Sequence, residues 1–192
     1  MEAMIEFDDA GVGCPILGEL YVGRRTETNR YAKAFISVNN KEKDSTLKAL
    51  LQILEDLNVR DNEEILLCRG TVFDEFEQVL RRDGRNVKRG KIEGATDTLA
   101  EVLFTLELRK IGVPSVISLH KRGYGRFYHD VMIWYHTLYT GEDLLKPRKK
   151  EKKKPIDYVI NRVCNYPHLM EILLREEVKK TSSKKKVKQI AH

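Results

Sequence analysis

Two adjacent carboxylates close a short apolar segment at the start of this chain. The segment runs from Met4 to Phe7, and Asp8 and Asp9 then lead directly into the glycine turn Ala10-Gly11-Val12-Gly13. A strand that ends in acidic side chains brings them to the edge of a sheet, where carboxylate oxygens suit divalent metal ions. Successive side chains of a strand point to opposite faces, so only one of the two is expected to face a site unless the chain has already turned. The segment therefore predicts a metal site with Asp8 as a ligand and Asp9 as the next candidate.

Glycines near this acidic pair also allow a different interpretation. Gly11, Gly13 and Gly18 are spaced loosely like a phosphate-cradling loop, in which a helix N-terminus binds the anion. The residues that follow are strand-like, however, and two carboxylates at the entrance repel a phosphate unless a metal is present. The metal interpretation is therefore preferred.

The hydrophobic pattern of the rest of the chain predicts a mixed α/β sheet. Strand-like segments come first, near 4–9, 16–24 and 31–38, with a polar hairpin loop at 24–29. Helical spacing over 44–58, 72–83 and 96–111 then alternates with strand-like runs at 65–68 and 87–92. A further strand is expected at 113–119 and a fourth helix at 124–139. Three antiparallel strands followed by alternating helices and strands give a sheet with helices on its faces.

Two short motifs carry a family resemblance. Ile5-Glu6-Phe7-Asp8-Asp9-Ala10-Gly11-Val12-Gly13 resembles the start of type 2 ribonucleases H, in which a strand ends in an acidic pair followed by Ala-Gly and a second glycine. Lys91-Ile92-Glu93-Gly94-Ala95-Thr96-Asp97 is similar to the place where that family brings in a later acidic residue. The resemblance implies a ribonuclease H-like fold and a nuclease that hydrolyses phosphodiester bonds in nucleic acid with Mg²⁺ or Mn²⁺.

The end of the fourth predicted strand departs from the family pattern. The family has an acidic residue there, whereas this chain reads Leu67-Cys68-Arg69-Gly70, and Arg69 carries the opposite charge. This departure favours an alternative from a different class, a non-catalytic nucleic-acid or ribonucleoprotein binding module on the same fold. Fold alone does not decide between the two.

Candidate site residues follow from the need of two-metal hydrolysis for several converging carboxylates. The predicted catalytic residues are Asp8, Asp9, Glu93 and Asp97, and the predicted metal ligands are Asp8, Glu93, Asp97 and Glu101. Asp97 and Glu101 are four residues apart and share a helix face. The alternative is that Asp97 simply occupies the first turn of its helix, where acids are favoured, and that Glu101 is a solvated surface residue.

A segment that interleaves cations with aromatic residues precedes the fourth predicted helix. Lys121, Arg122 and Arg126 are candidates for binding nucleic-acid phosphates. Phe127, Val131, Trp134 and Leu138 fall at helical spacing and are predicted to belong to the core instead.

Positive charge is concentrated at the end of the chain. Residues 146–192 hold 15 Lys/Arg against 5 Asp/Glu, whereas residues 1–145 hold 20 against 24. The prediction is a ribonuclease H-like domain over 1–145 and a basic linker, short helices and a Lys-rich tail over 146–192. Such asymmetry favours a polyanionic partner, and the linker lysines at 149, 150, 152, 153 and 154 (Lys149, Lys150, Lys152, Lys153, Lys154) are candidate phosphate ligands. The alternative is that the lysines only confer solubility.

The cysteines and the hydropathy of the chain indicate where in the cell the protein is expected. Cys14, Cys68 and Cys164 lack the close pairing of a zinc site or a disulfide scaffold, so they are expected to be thiols, with Cys14 a small buried residue. No apolar run approaches the roughly 18 residues that span a bilayer, and acidic residues stand where a signal peptide carries positive charge. These features predict a cytoplasmic protein that does not enter a membrane.

Overall fold

The computed structural model describes residues 4–14 and 16–113, together with five helical positions at 127, 130, 131, 133 and 134. The regular elements, in chain order, are β1 (Met4–Ala10), β2 (Gly18–Arg25), β3 (Tyr31–Ser37), α1 (Ser45–Asp56), β4 (Glu64–Cys68), α2 (Asp74–Arg82), β5 (Val87–Gly90) and α3 (Ala95–Lys110). Short 3₁₀ turns at Val38–Asn40 and Thr71–Phe73 precede α1 and α2. The predicted order of three strands followed by alternating helices and strands is confirmed over these residues.

The five strands form one mixed sheet in the order β3-β2-β1-β4-β5. β1, β2 and β3 pair antiparallel, whereas β1 pairs parallel with β4 and β4 pairs parallel with β5. This is the strand arrangement of the ribonuclease H-like fold, as predicted. Because β1 and β4 are parallel neighbours, their carboxyl ends lie side by side, and Phe7 is in register with Leu67.

Each face of the sheet carries its own apolar core. On one face, α1 and α2 pack with Ile5, Phe7 and Tyr21, and on the other, α3 packs with Ala10 and residues of β2. The alternation of strand side chains therefore divides β1 between two cores. The buried residues of α1 are Leu50, Ile53 and Leu54, which confirms the helical periodicity predicted there.

Helix α3 is buried on more than the single face that the sequence predicts. Its buried residues include Leu99, Val102, Leu103 and Leu106, but also Ala100, Phe104 and Leu108. The described helical residues Phe127, Val131 and Trp134 pack in the same core, and the rings of Phe104 and Phe127 meet edge to face at a centroid distance of 6.1 Å. The prediction that these three residues are core is confirmed, as is the burial of Cys14. Ile111, the last residue of the span predicted to be helical, is 45% exposed and lies just after the end of α3 at Lys110.

Strand β2 extends into the loop that the sequence predicts at 24–29, and buried hydrogen bonds hold its last residues. Arg24 belongs to the strand and is buried, because its guanidinium donates to Thr96 Oγ1 at 2.7 Å, to Asn29 Oδ1 at 2.7 Å and to Glu6 Oε2 at 3.2 Å. Arg25 forms an ion pair with the buried Glu63. The hairpin turn is therefore shorter than the predicted 24–29.

Several predictions lie outside the described residues. These are the strand at 114–119, most of the helix at 124–139, and the whole of 146–192. The division at residue 145 accordingly remains a prediction. Within the part of the chain that is described, no helix is both long and apolar enough to cross a bilayer.

Candidate metal centre

The acidic pair of β1 meets Cys68 at the carboxyl end of the parallel strand β4. One ligand atom from each of Asp8, Asp9 and Cys68 lies within 4.8 Å of the other two. Phe7 and Leu67 are register partners in the parallel pair of β1 and β4. The next residue of each strand, Asp8 in β1 and Cys68 in β4, therefore lies at the same level of the sheet. Both aspartates reach the group, so the expectation that strand alternation admits only one is wrong at this strand end. These three residues are called the Asp8–Asp9–Cys68 group below.

Asp8 is the most buried member, with 5% of its surface exposed. Burial raises its pKa from 3.8 to about 8, and the neighbouring Asp9 carboxylate and Asp97 raise it further, against hydrogen bonds from the Cys68 thiol and the Asp9 backbone N–H. A carboxyl group of this kind holds its proton at neutral pH unless a cation takes the proton's place.

Asp9 is partly buried beside the turn that follows β4. Burial and the charge of Glu19 raise its pKa from 3.8 to about 6. A Cβ added to Gly70 would stand 3.4 Å from Asp9 Oδ1, so the small residue at position 70 leaves space for this carboxylate. Neither Asp8 nor Asp9 forms an ion pair with a lysine or arginine within the described part of the chain.

Glu19 extends the acidic surroundings of Asp9 and is not a residue that the sequence singled out. Its buried carboxylate accepts hydrogen bonds from Tyr21 Oη at 2.6 Å and from Lys41 Nζ at 2.5 Å. Burial and the bond to Glu19 raise the pKa of the Tyr21 phenol, which therefore stays a donor. Glu19 is thus held by two donors of its own, whereas no lysine or arginine of the described residues pairs with the neighbouring Asp9.

The glycine turn after β1 is shaped by contact with α3. Gly11 has φ of +83°, and a Cβ there would come within 2.0 Å of Phe104 Cε2. The turn is closed by a hydrogen bond from the Cys14 backbone N–H to the Gly11 carbonyl at 2.8 Å. The glycine therefore allows the acidic end of β1 to lie against the helix.

Cys68 ends β4 as a thiol that is half-buried and hydrogen-bonded. Burial raises the pKa of Cys68 from 9.0 to about 11, and the Asp8 charge adds to this, whereas a hydrogen bond from the Gly70 backbone N–H opposes it. The turn is braced by Arg89, which donates to the Gly70 carbonyl at 2.7 Å and to Asp74 Oδ1 at 3.0 Å. The sequence alone does not single out Cys68, because its position beside Asp8 depends on the pairing of β4 with β1.

Arg69 does not occupy the strand-end position that the sequence comparison gave it. The last residue of β4 is Cys68, and Arg69 lies after it as an exposed side chain. Among the described residues, no hydrogen bond or ion pair engages the Arg69 guanidinium. The structure therefore places a thiol, and not the guanidinium of Arg69, beside Asp8.

The other predicted site residues lie around α3. Asp97 is in the first turn of α3, partly buried, and its charge acts on Asp8. Glu101 follows one turn later and is also partly buried. The Glu93 side chain is 68% exposed and forms an ion pair with Lys91. Among the described residues, none of these three belongs to the group that converges within 4.8 Å. The cationic candidates at 121, 122 and 126 lie outside those residues.

The similarity between this chain and known proteins is distant. No protein-family model and no curated protein matches the chain. Among solved structures, the chain is similar to the catalytic core domain of BIV integrase, with 14% identity and a TM-score of 0.36 over 71% of this chain and 97% of that one. The fold assignment rests on the order and direction of the five strands.

The donors of the Asp8–Asp9–Cys68 group suit one divalent cation. Carboxylate oxygens bind hard ions such as Mg²⁺ and Mn²⁺, whereas sulfur favours ions such as Zn²⁺. A pair of Mg²⁺ ions needs more carboxylates than the two that converge here within the described residues. The donor set therefore fits a single ion, held by Asp8 and Asp9 with Cys68 beside them.

Proposed function

We propose that this protein is a divalent-metal-dependent nuclease that hydrolyses phosphodiester bonds in nucleic acid at the Asp8–Asp9–Cys68 group. The observation that carries the proposal is the convergence of two carboxylates with raised pKa values at the edge where β1 and β4 end. Strongly shifted pKa values at a sheet edge are typical of functional sites.

A purely structural role accounts poorly for these aspartates. Two neighbouring carboxylates, largely withdrawn from water, cost stability unless a cation compensates them. Other acids withdrawn from water have such a partner, since the partly buried Glu6 is paired with Arg24 and the buried Glu63 with Arg25. The aspartates lack one among the described residues, and a bound dication supplies the missing charge.

Each neighbouring residue has a role in the proposed reaction. Asp8 and Asp9 would hold the cation, which would polarise a phosphate oxygen and lower the pKa of a water molecule. Arg69, exposed and directly after Cys68 in the chain, is proposed to contact a substrate phosphate. Asp97 adds negative charge that favours the bound cation. Glu93 and Glu101 are proposed to complete the acidic surroundings when nucleic acid is present.

Nucleic acid is the proposed substrate because the excess of positive charge lies in the last part of the chain, outside the acidic residues 1–145. Residues 146–192 hold 15 Lys/Arg against 5 Asp/Glu. Phosphate contacts by Lys121, Arg122, Arg126 and the linker lysines at 149–154 are part of the proposal. They steer a polyanion towards a site whose own carboxylates repel it.

The test is cleavage of labelled single-stranded, double-stranded and hybrid substrates with Mn²⁺, Mg²⁺ or Zn²⁺. The full chain is expected to cut at least one substrate, and Asp8→Asn, which is nearly isosteric, is expected to abolish cleavage while circular dichroism stays unchanged. Glu75→Gln, on the exposed side of α2, is the matched control and should cut normally. No cleavage of any substrate by the full chain would contradict the proposal.

A second candidate is a nucleic-acid binding module without catalysis on the same fold. It is favoured by the thiol of Cys68 at the strand end where the family pattern has an acid. In that case the full chain binds the panel in gel-shift assays, and neither metal ions nor Asp8→Asn change the affinity.

A further inference from the structure

We infer that the Asp8–Asp9–Cys68 group takes a thiophilic divalent cation, Zn²⁺ above all, with Cys68 as its third ligand, in preference to Mg²⁺. The inference rests on the proposed metal site and goes further by assigning the ion and the residue that selects it. It starts from the convergence of three different donors, two carboxylates and one sulfur, within 4.8 Å.

Cys68 is positioned as a ligand and not only as a small apolar residue. Its thiol donates a hydrogen bond to the Asp8 carboxylate and accepts one from the Gly70 backbone N–H. The other described cysteine, Cys14, is buried with apolar residues in the core under α3. The two thiols of the described region therefore differ in their surroundings, and only that of Cys68 points to carboxylates.

Hydrogen bonds fix the backbone before and after Cys68. It ends a strand that is paired with β1 and β5, and the following turn is tied to β5 and α2 through Arg89. A sulfur held in this way is available to an ion at the aspartates without rearrangement of the backbone. Such preorganisation favours the ion that the donors suit best.

The chemistry of the donors selects the ion. Mg²⁺ prefers six oxygen ligands in octahedral geometry and keeps several waters, so a sulfur at one position weakens it. Zn²⁺ accepts sulfur and carboxylate oxygen together in tetrahedral sites. Three protein ligands also leave a fourth position for water, which is the pattern of catalytic zinc sites. A carboxylate at position 68 would produce the opposite preference.

The experiment titrates the full chain with Zn²⁺ and with Mg²⁺ by calorimetry and follows Co²⁺ binding by its thiolate charge-transfer absorption. The wild type is expected to bind Zn²⁺ at least about tenfold more tightly than Mg²⁺, a difference of the size that a single altered partner produces at metal sites. Its Co²⁺ complex is expected to show the thiolate band.

Three variants identify the ligand. Cys68→Asp should lose the thiolate band and gain Mg²⁺ affinity, and Cys68→Ser, the milder change, should lose the band and bind Zn²⁺ at least about tenfold more weakly. Cys14→Ala combined with Cys164→Ala should keep both the band and the Zn²⁺ affinity. Circular dichroism confirms that each variant is folded.

The outcomes separate this inference from the proposed function. If the wild type binds Mg²⁺ as tightly as Zn²⁺ and Cys68→Ser changes neither, the inference is wrong while the metal site stands. If Asp8→Asn leaves Zn²⁺ and Mg²⁺ binding unchanged, or if the wild type binds neither ion, the metal site itself fails.

Discussion

The Cys68 thiol donates a hydrogen bond to the Asp8 carboxylate, across the parallel pair formed by β4 and β1. The two residues are 60 positions apart in the sequence. Their contact depends on the neighbouring carboxyl ends of two parallel strands, which is where the fold collects its candidate ligands. The same contact leaves Asp8 buried beside a thiol and a second carboxylate, in surroundings unfavourable to a negative charge.

Asp8→Asn is expected to stabilise the protein when metal is removed by a chelator. Because the pKa of Asp8 is raised from 3.8 to about 8, the native state binds a proton there that the unfolded state has lost. The stability of the wild type should therefore fall, relative to the variant, as pH rises from 4 to 8. At pH 8 the variant should be more stable by on the order of 1–3 kcal/mol.

Urea denaturation of both proteins at pH 5 and pH 8 measures this difference. A difference that does not grow with pH, or a wild type more stable than the variant at pH 8, would contradict the assigned environment of Asp8. Excess Zn²⁺ should reverse the order, because the ion binds only the folded wild type.

Gly11→Ala and Gly84→Ala form a matched pair for the turn after β1. Both glycines have positive φ, at +83° and +76°, but a Cβ at Gly11 would collide with the Phe104 ring, whereas nothing lies within 4 Å of one at Gly84. Gly84→Ala should cost about 1 kcal/mol from backbone strain alone, and Gly11→Ala at least about 1–3 kcal/mol more. Equal losses in thermal or urea denaturation would show that Phe104 does not restrict the turn.

Arg69→Gln is expected to weaken nucleic-acid binding without reducing metal affinity. If the exposed guanidinium contacts one phosphate, its loss should lower the slope of log affinity against log salt by about 0.9 on duplex DNA. Arg82→Gln, at the far end of α2, is the control for a general loss of charge. Fluorescence anisotropy at several salt concentrations measures both variants, and identical slopes for the two would exclude a specific role for Arg69.

Neutralising the tail lysines is expected to flatten the salt dependence further. Replacing eight lysines, at 149, 150, 152, 153, 154, 184, 185 and 186, by glutamine keeps the apolar residues after Pro155 and removes only charge. Each lost phosphate contact should lower the slope by about 0.9 on duplex DNA, while any metal bound at Asp8 stays. An unchanged slope would indicate that the extension is a solubility device.

Much of the fold was predictable because local patterns determine it. Leu47, Leu50, Leu51 and Leu54 at helical spacing predict α1, and the apolar run before Asp8 predicts β1. The contacts that complete the site were less accessible to sequence reasoning, because they are not local. Cys68 becomes relevant only when β4 is placed parallel to β1, which the ribonuclease H-like strand order already implied. In the sequence, the charge of the next residue, Arg69, is the more visible departure from the family's acidic position.

Buried polar residues inside strands are the second feature that the sequence does not predict. Glu19 and Arg24 are polar residues that suggested a loosely alternating strand and a loop, yet both are buried because tertiary partners satisfy them. Those partners include Lys41 and Thr96, which lie in other parts of the chain. A single sequence does not carry this information in any local pattern, whereas the acidic pair itself was correctly placed at the end of β1.

A crystal of the full chain soaked in Mn²⁺ tests the central claim most directly, since anomalous scattering locates the ion. The account predicts one ion bound by carboxylate oxygens of Asp8 and Asp9 at about 2.0–2.6 Å. It also predicts that crystals of Asp8→Asn soaked in the same way lack that ion. Anomalous density at surface carboxylates such as Glu93, with none at Asp8 in the wild type, would contradict the claim that this group is a metal centre.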